Sequence, residues 1–321
     1  MLADPMDTFI TQHLKGVSRT YAIVIPMLPR GLDEAVGLAY LLMRIVDTLE
    51  DAPQLDDGRR RPCLRHFDRV LAGADEPLDE ATLRPLGELA AERALMHDTA
   101  EVLRRINALP PADAAAAKTC ARKMIGGVLD MLDRSEQRAQ PYPAVRDSAE
   151  LREYCYYVAG VVGEMLCEMM ADHLKAPALL RLRNVAVELG IGLQLVNILK
   201  DAMKDSKHGR RYLPTADDGR VSAGEIYRTV LVEARKSLEK GAEFVLALPA
   251  TAWQLRSFCG LPIAWGAMTL ARFEKLAGAA KIDRTAIQQS IEKFTAVATD
   301  DHALRSWFQR LLHPRGNMEP A

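Results

Sequence analysis

The sequence predicts an all-α fold built as a single domain, and three observations carry that expectation. Apolar residues recur at three- and four-residue spacing in 32–51, 84–107, 114–134, 148–173, 178–205, 223–248 and 254–278. Runs of β-branched residues in strict alternation are missing, and no Asn-Gly hairpin signal occurs. The stretches at 53–62, 72–77, 109–113, 138–148 and 207–220 mix Pro, Gly and Asp as helix–helix connections do. None is long or biased enough to link two domains, and no internal repeat is evident. We therefore place a lead-in at 1–14, the helical domain at 15–312 and a polar tail at 313–321.

The helices differ in how much apolar surface they carry. The segment 32–51 holds LAYLLMRIVDTL, 148–173 holds YYVAGVVGEML, and 178–205 holds VAVELGIGLQLVNIL; each is apolar nearly all round. A helix without a polar face belongs inside a bundle. Ala159, Gly160, Gly163, Gly190, Gly192 and Gly266 are scattered through such helices. Small residues there allow either close helix approach or an apolar cavity.

Composition bounds the function. The 321 residues are 49% hydrophobic, with 42 basic and 43 acidic side chains. That balance lacks the basic excess a nucleic-acid binder needs along a phosphate backbone. Cys63, Cys120, Cys155, Cys167 and Cys259 form no C-x-x-C pair, and the histidines form no metal-binding spacing. These features point to a reducing, cytoplasmic compartment. The opening MLADPMDTF lacks the basic start of a signal peptide. The longest uncharged apolar run, Phe258 to Ala271, is 14 residues and contains a proline, so no transmembrane segment is expected. Peripheral contact with a membrane surface stays open.

The informative anomaly is acid where helices should be apolar. Asp47 and Asp51 lie four residues apart at the end of LLMRIVDTLED, and Asp201 and Asp205 do the same in LVNILKDAMKD. Each pair projects from one helical face. With 23 Asp in the chain, chance alone gives about 1.6 such spacings. A third match, Asp75 and Asp79 in a polar Pro-containing turn, reads as a solvated connection. The other two read either as solvated helix ends or as ligands. Buried carboxylates must be paired, hydrogen-bonded or bound to a cation. Oxygen donors without His or Cys suit Mg²⁺, which binds through one or two carboxylates plus a phosphate. Arg19, Arg44, Arg210 and Arg211 are candidate partners for a diphosphate, although Arg44 also reads as an intrahelical partner of Asp47 and the other pair as a solvated turn.

At these residues the chain resembles the squalene/phytoene synthase family, the head-to-head isoprenyl-diphosphate synthases. The resemblance is an ordered series: SRTYAIVIPML at 18–28, AYLLMRIVDTLED at 39–51, YCYYVAGVVGEML at 154–166, GLQLVNILKDAMKD at 192–205, GRRYLP at 209–214 and FCGLPIAWGAMTLA at 258–271. It covers about residues 15 to 285, and DTLED is closer to the squalene synthases than to the phytoene synthases.

The resemblance implies an isoprenoid-synthase bundle around a central cavity. It implies Mg²⁺-dependent condensation of two farnesyl diphosphates to presqualene diphosphate, then reduction to squalene with NADPH. Carried over by position, Asp47, Asp51, Asp201 and Asp205 bind Mg²⁺ and diphosphate. Ser18, Arg19, Arg44 and Arg210 contact diphosphate oxygens. Tyr40, Gln194 and Asn197 line the site, Phe258 joins Val158, Val161, Leu166 and Leu193 in its apolar wall, and Tyr154 is the catalytic tyrosine.

Some positions depart from the family pattern. Lys200 and Lys204 stand where squalene synthases carry Arg and an acid. Asp283 interrupts the positive run expected near the nicotinamide cofactor, in KIDR. No G-x-G-x-x-G marks a Rossmann unit. The tail HPRGNMEPA is polar, unlike the membrane helix of eukaryotic squalene synthases. Two other readings follow: a non-reducing member that makes presqualene diphosphate, dehydrosqualene or phytoene, and a non-catalytic lipid-binding or scaffold protein with this fold.

Overall fold

Six of the aspartates in this sequence stand at helix starts. Asp7, Asp56, Asp79, Asp147, Asp283 and Asp300 each accept hydrogen bonds from backbone amides of the following helix. Such a cap contributes about 0.5–2 kcal/mol by satisfying amides that have no partner within the helix. Asp79 is the second member of the third D-x-x-x-D match, and its Oδ1 accepts from the Thr82 amide at 3.1 Å. That match is a cap.

The computed structural model describes residues 6–140, 142–143, 145–207, 210–214, 222–276 and 282–314, with side chains omitted at 275–276. The tail beyond Pro314, Lys281 and most of the loop at 207–220 lie outside the described residues. No β-strand occurs among the described residues. The chain divides into two compact units, one from Met1–Pro143 with Glu164–Leu180, the other from Ala144–Gly163 with Arg181–Ala321.

In the first unit, α1 (Thr8–Val17), α2 (Tyr21–Val24), α3 (Leu32–Asp51), α4 (Asp57–Leu71), α5 (Glu80–Leu83), α6 (Ala90–His97), α7 (Thr99–Ala108) and α8 (Pro111–Gln137) follow in order. Helix α3 is central, with Leu38, Leu41, Leu42, Ile45 and Leu49 fully buried. Each such side chain contributes about 1.5–3 kcal/mol. Helix α1 runs through the boundary expected at 15.

Two departures from the sequence reading have clear causes. Residues 57–62, expected as a connection, belong to α4; Asp56 caps it, and Pro62 lies exposed inside it. Its buried side is Arg60, Leu64, Phe67 and Leu71, a helical spacing that Gly58, Pro62 and the helix's five arginines obscure. The continuous helix expected at 84–107 breaks at Asp98, whose carboxylate bonds His13 at 3.0 Å and His97 at 3.0 Å.

The second unit holds α9 (Ser148–Cys155), a π-helical turn (Tyr156–Gly160), the first residues of α10 (Val161–His173), α11 (Arg183–Lys207), α12 (Ala223–Ala247), α13 (Trp253–Leu276), α14 (Arg284–Val297) and α15 (Asp301–Leu312). The segment expected as one helix at 148–173 is therefore three pieces. Close approach explains its glycines. A Cβ on Gly163 would sit 2.1 Å from the Ala186 carbonyl, and one on Gly190 would sit 2.2 Å from that of Ala159. The packing reading holds at these positions. Helices α14 and α15, unassigned from the sequence, bury Phe294, Trp307 and Phe308 in one aromatic cluster.

Counting only uncharged runs also missed Pro177–Lys207. It is long and apolar enough to cross a membrane, with a mean hydropathy of 1.3 over its best window, half of that window being buried. Glu188 sits inside this stretch in ionic contact with α9 and α12, which identifies α11 as a core helix.

Candidate active site

In the first unit the chemistry gathers where α3 ends. Ser18 ends α1 in an extended conformation, and its Oγ accepts from the Tyr21 amide at 2.9 Å. The same hydroxyl shares a hydrogen bond with Tyr40. The Tyr21 and Tyr40 rings pack with centroids 4.9 Å apart. Burial, the largest influence, pushes the Tyr40 phenol above its usual pKa, so it stays protonated as a hydrogen-bond donor.

Arg44 lies one turn further along α3, and its guanidinium forks between Asp47 and Glu92 of α6. Asp47 is the main reason its affinity for the proton is raised. Burial alone would raise the Glu92 carboxyl, but the Leu89 amide and Arg44 bring it below its usual range. Glu92 Oε2 also accepts from the Glu88 and Leu89 amides at 2.9 and 3.0 Å, which ties this carboxylate to the start of α6. Ser18, Tyr40, Arg44 and Asp47 thus form one connected series. Arg19 is exposed beside Ser18, and Asp51 is half-buried as the last residue of α3.

In the second unit the chemistry gathers where α11 ends. Lys200 Nζ lies 3.2 Å from Asp201 and donates to Asn197 Oδ1 at 3.0 Å. Gln194 is half-buried on the same helix. The Arg210 amide donates to the Asp205 carbonyl at 2.9 Å. Asp205, Arg210, Tyr212 and Tyr227 line a cavity of about 560 Å³ with Ile198 and Leu213 as apolar wall. Arg211 lines it too, although its side chain is exposed.

Tyr154 is buried at 4% exposure, and its ring lies 5.2 Å from that of Tyr212. Tyr212 therefore links the expected catalytic tyrosine to the cavity beside Asp205. Sequence reasoning missed it, although it stands inside GRRYLP between two cations and an apolar pair. Phe258 is buried, as are Val161 and Leu166, whereas Val158 and Leu193 are half-buried.

Among the described residues, no three His, Cys, Asp or Glu side chains converge as a metal site. Each aspartate pair offers two hard oxygen donors one helical turn apart. That donor set fits Mg²⁺, which keeps several waters and takes its remaining ligands from phosphate.

A curated squalene synthase from Schizosaccharomyces pombe is 29% identical over 204 residues, 63% of this chain and 43% of that protein. The Bos taurus squalene synthase is 28% identical over 204 residues, again 63% of this chain, and 45% of its own length. A lycopaoctaene synthase from Botryococcus braunii is 29% identical over 205 residues, 64% of this chain and 43% of that protein. The chain thus spans less than half the length of these curated relatives.

Among solved structures, a complex of TcSQS with a ligand superposes with a TM-score of 0.79 at 23% identity, covering 98% of this chain and 93% of that one. A dehydrosqualene synthase superposes with a TM-score of 0.57 at 21% identity, covering 90% and 94%. These likenesses establish the all-α isoprenoid-synthase fold. The family model for squalene/phytoene synthase matches residues 14–289, so the chain belongs to the squalene/phytoene synthase family.

Proposed function

We propose that this protein is a squalene synthase, joining two farnesyl diphosphates head to head through presqualene diphosphate and reducing the product with NADPH. One observation supports it best. In each aspartate helix a side-chain cation, Arg44 or Lys200, pairs with the first aspartate of the motif. The first aspartate of each pair thus already has a cation beside it, where a diphosphate would bind.

Asp47, Asp51, Asp201 and Asp205 would hold Mg²⁺. When bound, the ion offsets the charge that accumulates on a departing diphosphate. Ser18, Arg19, Arg44 and Arg210 bind diphosphate oxygens, with the Tyr40 hydroxyl orienting them and Gln194 and Asn197 completing the polar lining. The Tyr154 hydroxyl orients the leaving group or relays the proton lost on ring closure, passing on its own proton as it accepts that one, and the Tyr212 ring packs beside it. Val158, Val161, Leu166, Leu193 and Phe258 keep water from the allylic cation. We place the protein in the cytoplasm, with peripheral membrane contact when the apolar product leaves.

The non-reducing reading has its own support. Asp283, which breaks the positive run, accepts from the Ala286 amide at 2.7 Å as the cap of α14 and pairs with Arg272 at 3.0 Å. This acid is fixed in place by the fold and engages a cation that a nicotinamide phosphate would otherwise attract. Incubation with farnesyl diphosphate and Mg²⁺, with and without NADPH, separates the readings by product mass. Squalene formed only with NADPH supports the first. Presqualene diphosphate or dehydrosqualene in equal yield under both conditions supports the second. No product and no Mg²⁺-dependent substrate binding would point to a scaffold or lipid-binding protein.

A further inference from the structure

Glu188 is a buried acid of the second unit that three side chains from other helices reach. It is 9% exposed in the second turn of α11, and it receives groups from two other helices. Arg152 of α9 meets its Oε1, Lys240 of α12 lies 3.3 Å from the same oxygen, and Ser237 of α12 donates to Oε2 at 2.9 Å. Arg152 is itself forked, with its other nitrogen 2.6 Å from Glu233 of α12. A buried ionic group of this kind adds little net stability over an apolar packing, so its value lies in geometry.

The geometry it fixes is unusual. Helix α9 is only eight residues long, and it runs into the π-helical turn Tyr156–Gly160. A π turn inserts one residue into the helical register, and such turns concentrate at functional sites. The direction of Tyr154, just before the turn, is therefore not set by continuity with α10. Within the turn and just beyond it the backbone is locked to α11, because Gly190 abuts Ala159 and Gly163 abuts Ala186. On the near side the Arg152–Glu188 pair is the matching tie to the same stretch of α11. Tyr154 is two positions beyond Arg152, and Gln194 is six positions beyond Glu188.

We infer that Glu188, acting through Arg152, is a positioning residue that holds Tyr154 in register with the Gln194–Asn197–Asp201 face of α11. The inference rests on the reading of Tyr154 as the tyrosine that serves the reaction. It assigns function to a pair that no motif contains, on helices whose other residues do the chemistry.

The test uses the full chain labelled with 3-fluorotyrosine, the Tyr154 ¹⁹F line being identified by its loss in Tyr154→Phe. Glu188→Gln and Arg152→Met keep the side-chain bulk, and Arg152→Lys keeps the charge without the fork. We expect the Tyr154 line to move in the first two variants, while the Tyr21 and Tyr40 lines of the other unit stay. With farnesyl diphosphate, kcat should fall about tenfold at unchanged KM, with Arg152→Lys intermediate. A Tyr154 line and a kcat that stay at wild-type values in folded Glu188→Gln and Arg152→Met overturn the inference, whatever happens to Tm. A wild-type chain without turnover overturns the synthase reading instead, and the ¹⁹F line then still decides whether the pair positions Tyr154.

Discussion

The ends of α3 and α11 carry the same D-x-x-x-D spacing in two different physical states. At the end of α3, the Arg44 and Asp47 side chains are 29% and 33% exposed, and Glu92 at 10% closes the other side of the guanidinium. At the end of α11, Lys200 and Asp201 are 36% and 45% exposed, and the lysine reaches its neighbour and Asn197. The first cluster is held by a helix cap, an ion pair and ring packing before any ligand is present. The second is a solvated pair whose geometry a ligand must impose. Pre-organised dipoles cost nothing at the moment of reaction, whereas a mobile pair must be ordered during binding. Changes at α3 should therefore act on both stability and rate, and changes at α11 on ligand binding and rate alone.

The largest expected effect ignores this difference. Asp47→Asn and Asp201→Asn each remove a carboxylate proposed to hold Mg²⁺, and each should lower diphosphate release by about a thousandfold or more. Full turnover in both, measured as pyrophosphate released from farnesyl diphosphate, would remove the metal reading from both helices. Tyr154→Phe comes next, with a fall of about a hundredfold in kcat, in the range of a lost general acid or base. Tyr212→Phe keeps the ring that packs on Tyr154, so it should cost far less than Tyr212→Ala in the same assay.

Stability then separates the two ends. Glu92→Gln leaves Arg44 with only Asp47 and weakens the hold on the start of α6, a loss of about 2 kcal/mol for a partly buried pair. Lys200→Met breaks an exposed contact and should stay within about 0.5 kcal/mol. Urea unfolding of the two variants checks this; equal losses would mean that the two clusters are equally rigid.

Most of the fold was legible because periodicity and burial agree, as in 32–51, where the predicted helix is α3 residue for residue. What escaped was local. Helix α4 was hidden by Gly58 and Pro62, and the break at Asp98 depends on His13, which is distant in sequence. The π turn carries no composition signal of its own, since YYVAG would serve equally in an α-helix. The site was legible where a motif places several side chains on one helical face. Glu92 and Tyr212, which come from other elements, required coordinates. Glu92 lies on the buried face of α6 with Leu95 and Met96, Tyr212 lies outside the helices, and each acts by reaching a residue that the sequence had already singled out.

The smallest expected effect is a pH dependence confined to the α3 end. The Glu92 carboxyl is held below its ordinary value of 4.5 in the folded chain, the Leu89 amide and Arg44 outweighing burial. A carboxylate depressed in this way contributes stability above the unfolded value, and that contribution is lost as pH falls through the folded one. Stability from Glu92 should thus be complete above about pH 5 and fade below about pH 4.5. In Glu92→Gln this part of the acid sensitivity should vanish, so the difference in urea midpoint between wild type and variant should shrink on acidification. Lys200→Met should shift the midpoint equally little at every pH, because its partner is exposed and solvent already screens the pair. A wild-type-to-Glu92→Gln difference that stays constant between pH 6 and about pH 3.5 would show that Glu92 acts by shape and not by charge. The rigidity of the first cluster would then have to come from the Ser18–Tyr40–Tyr21 packing alone.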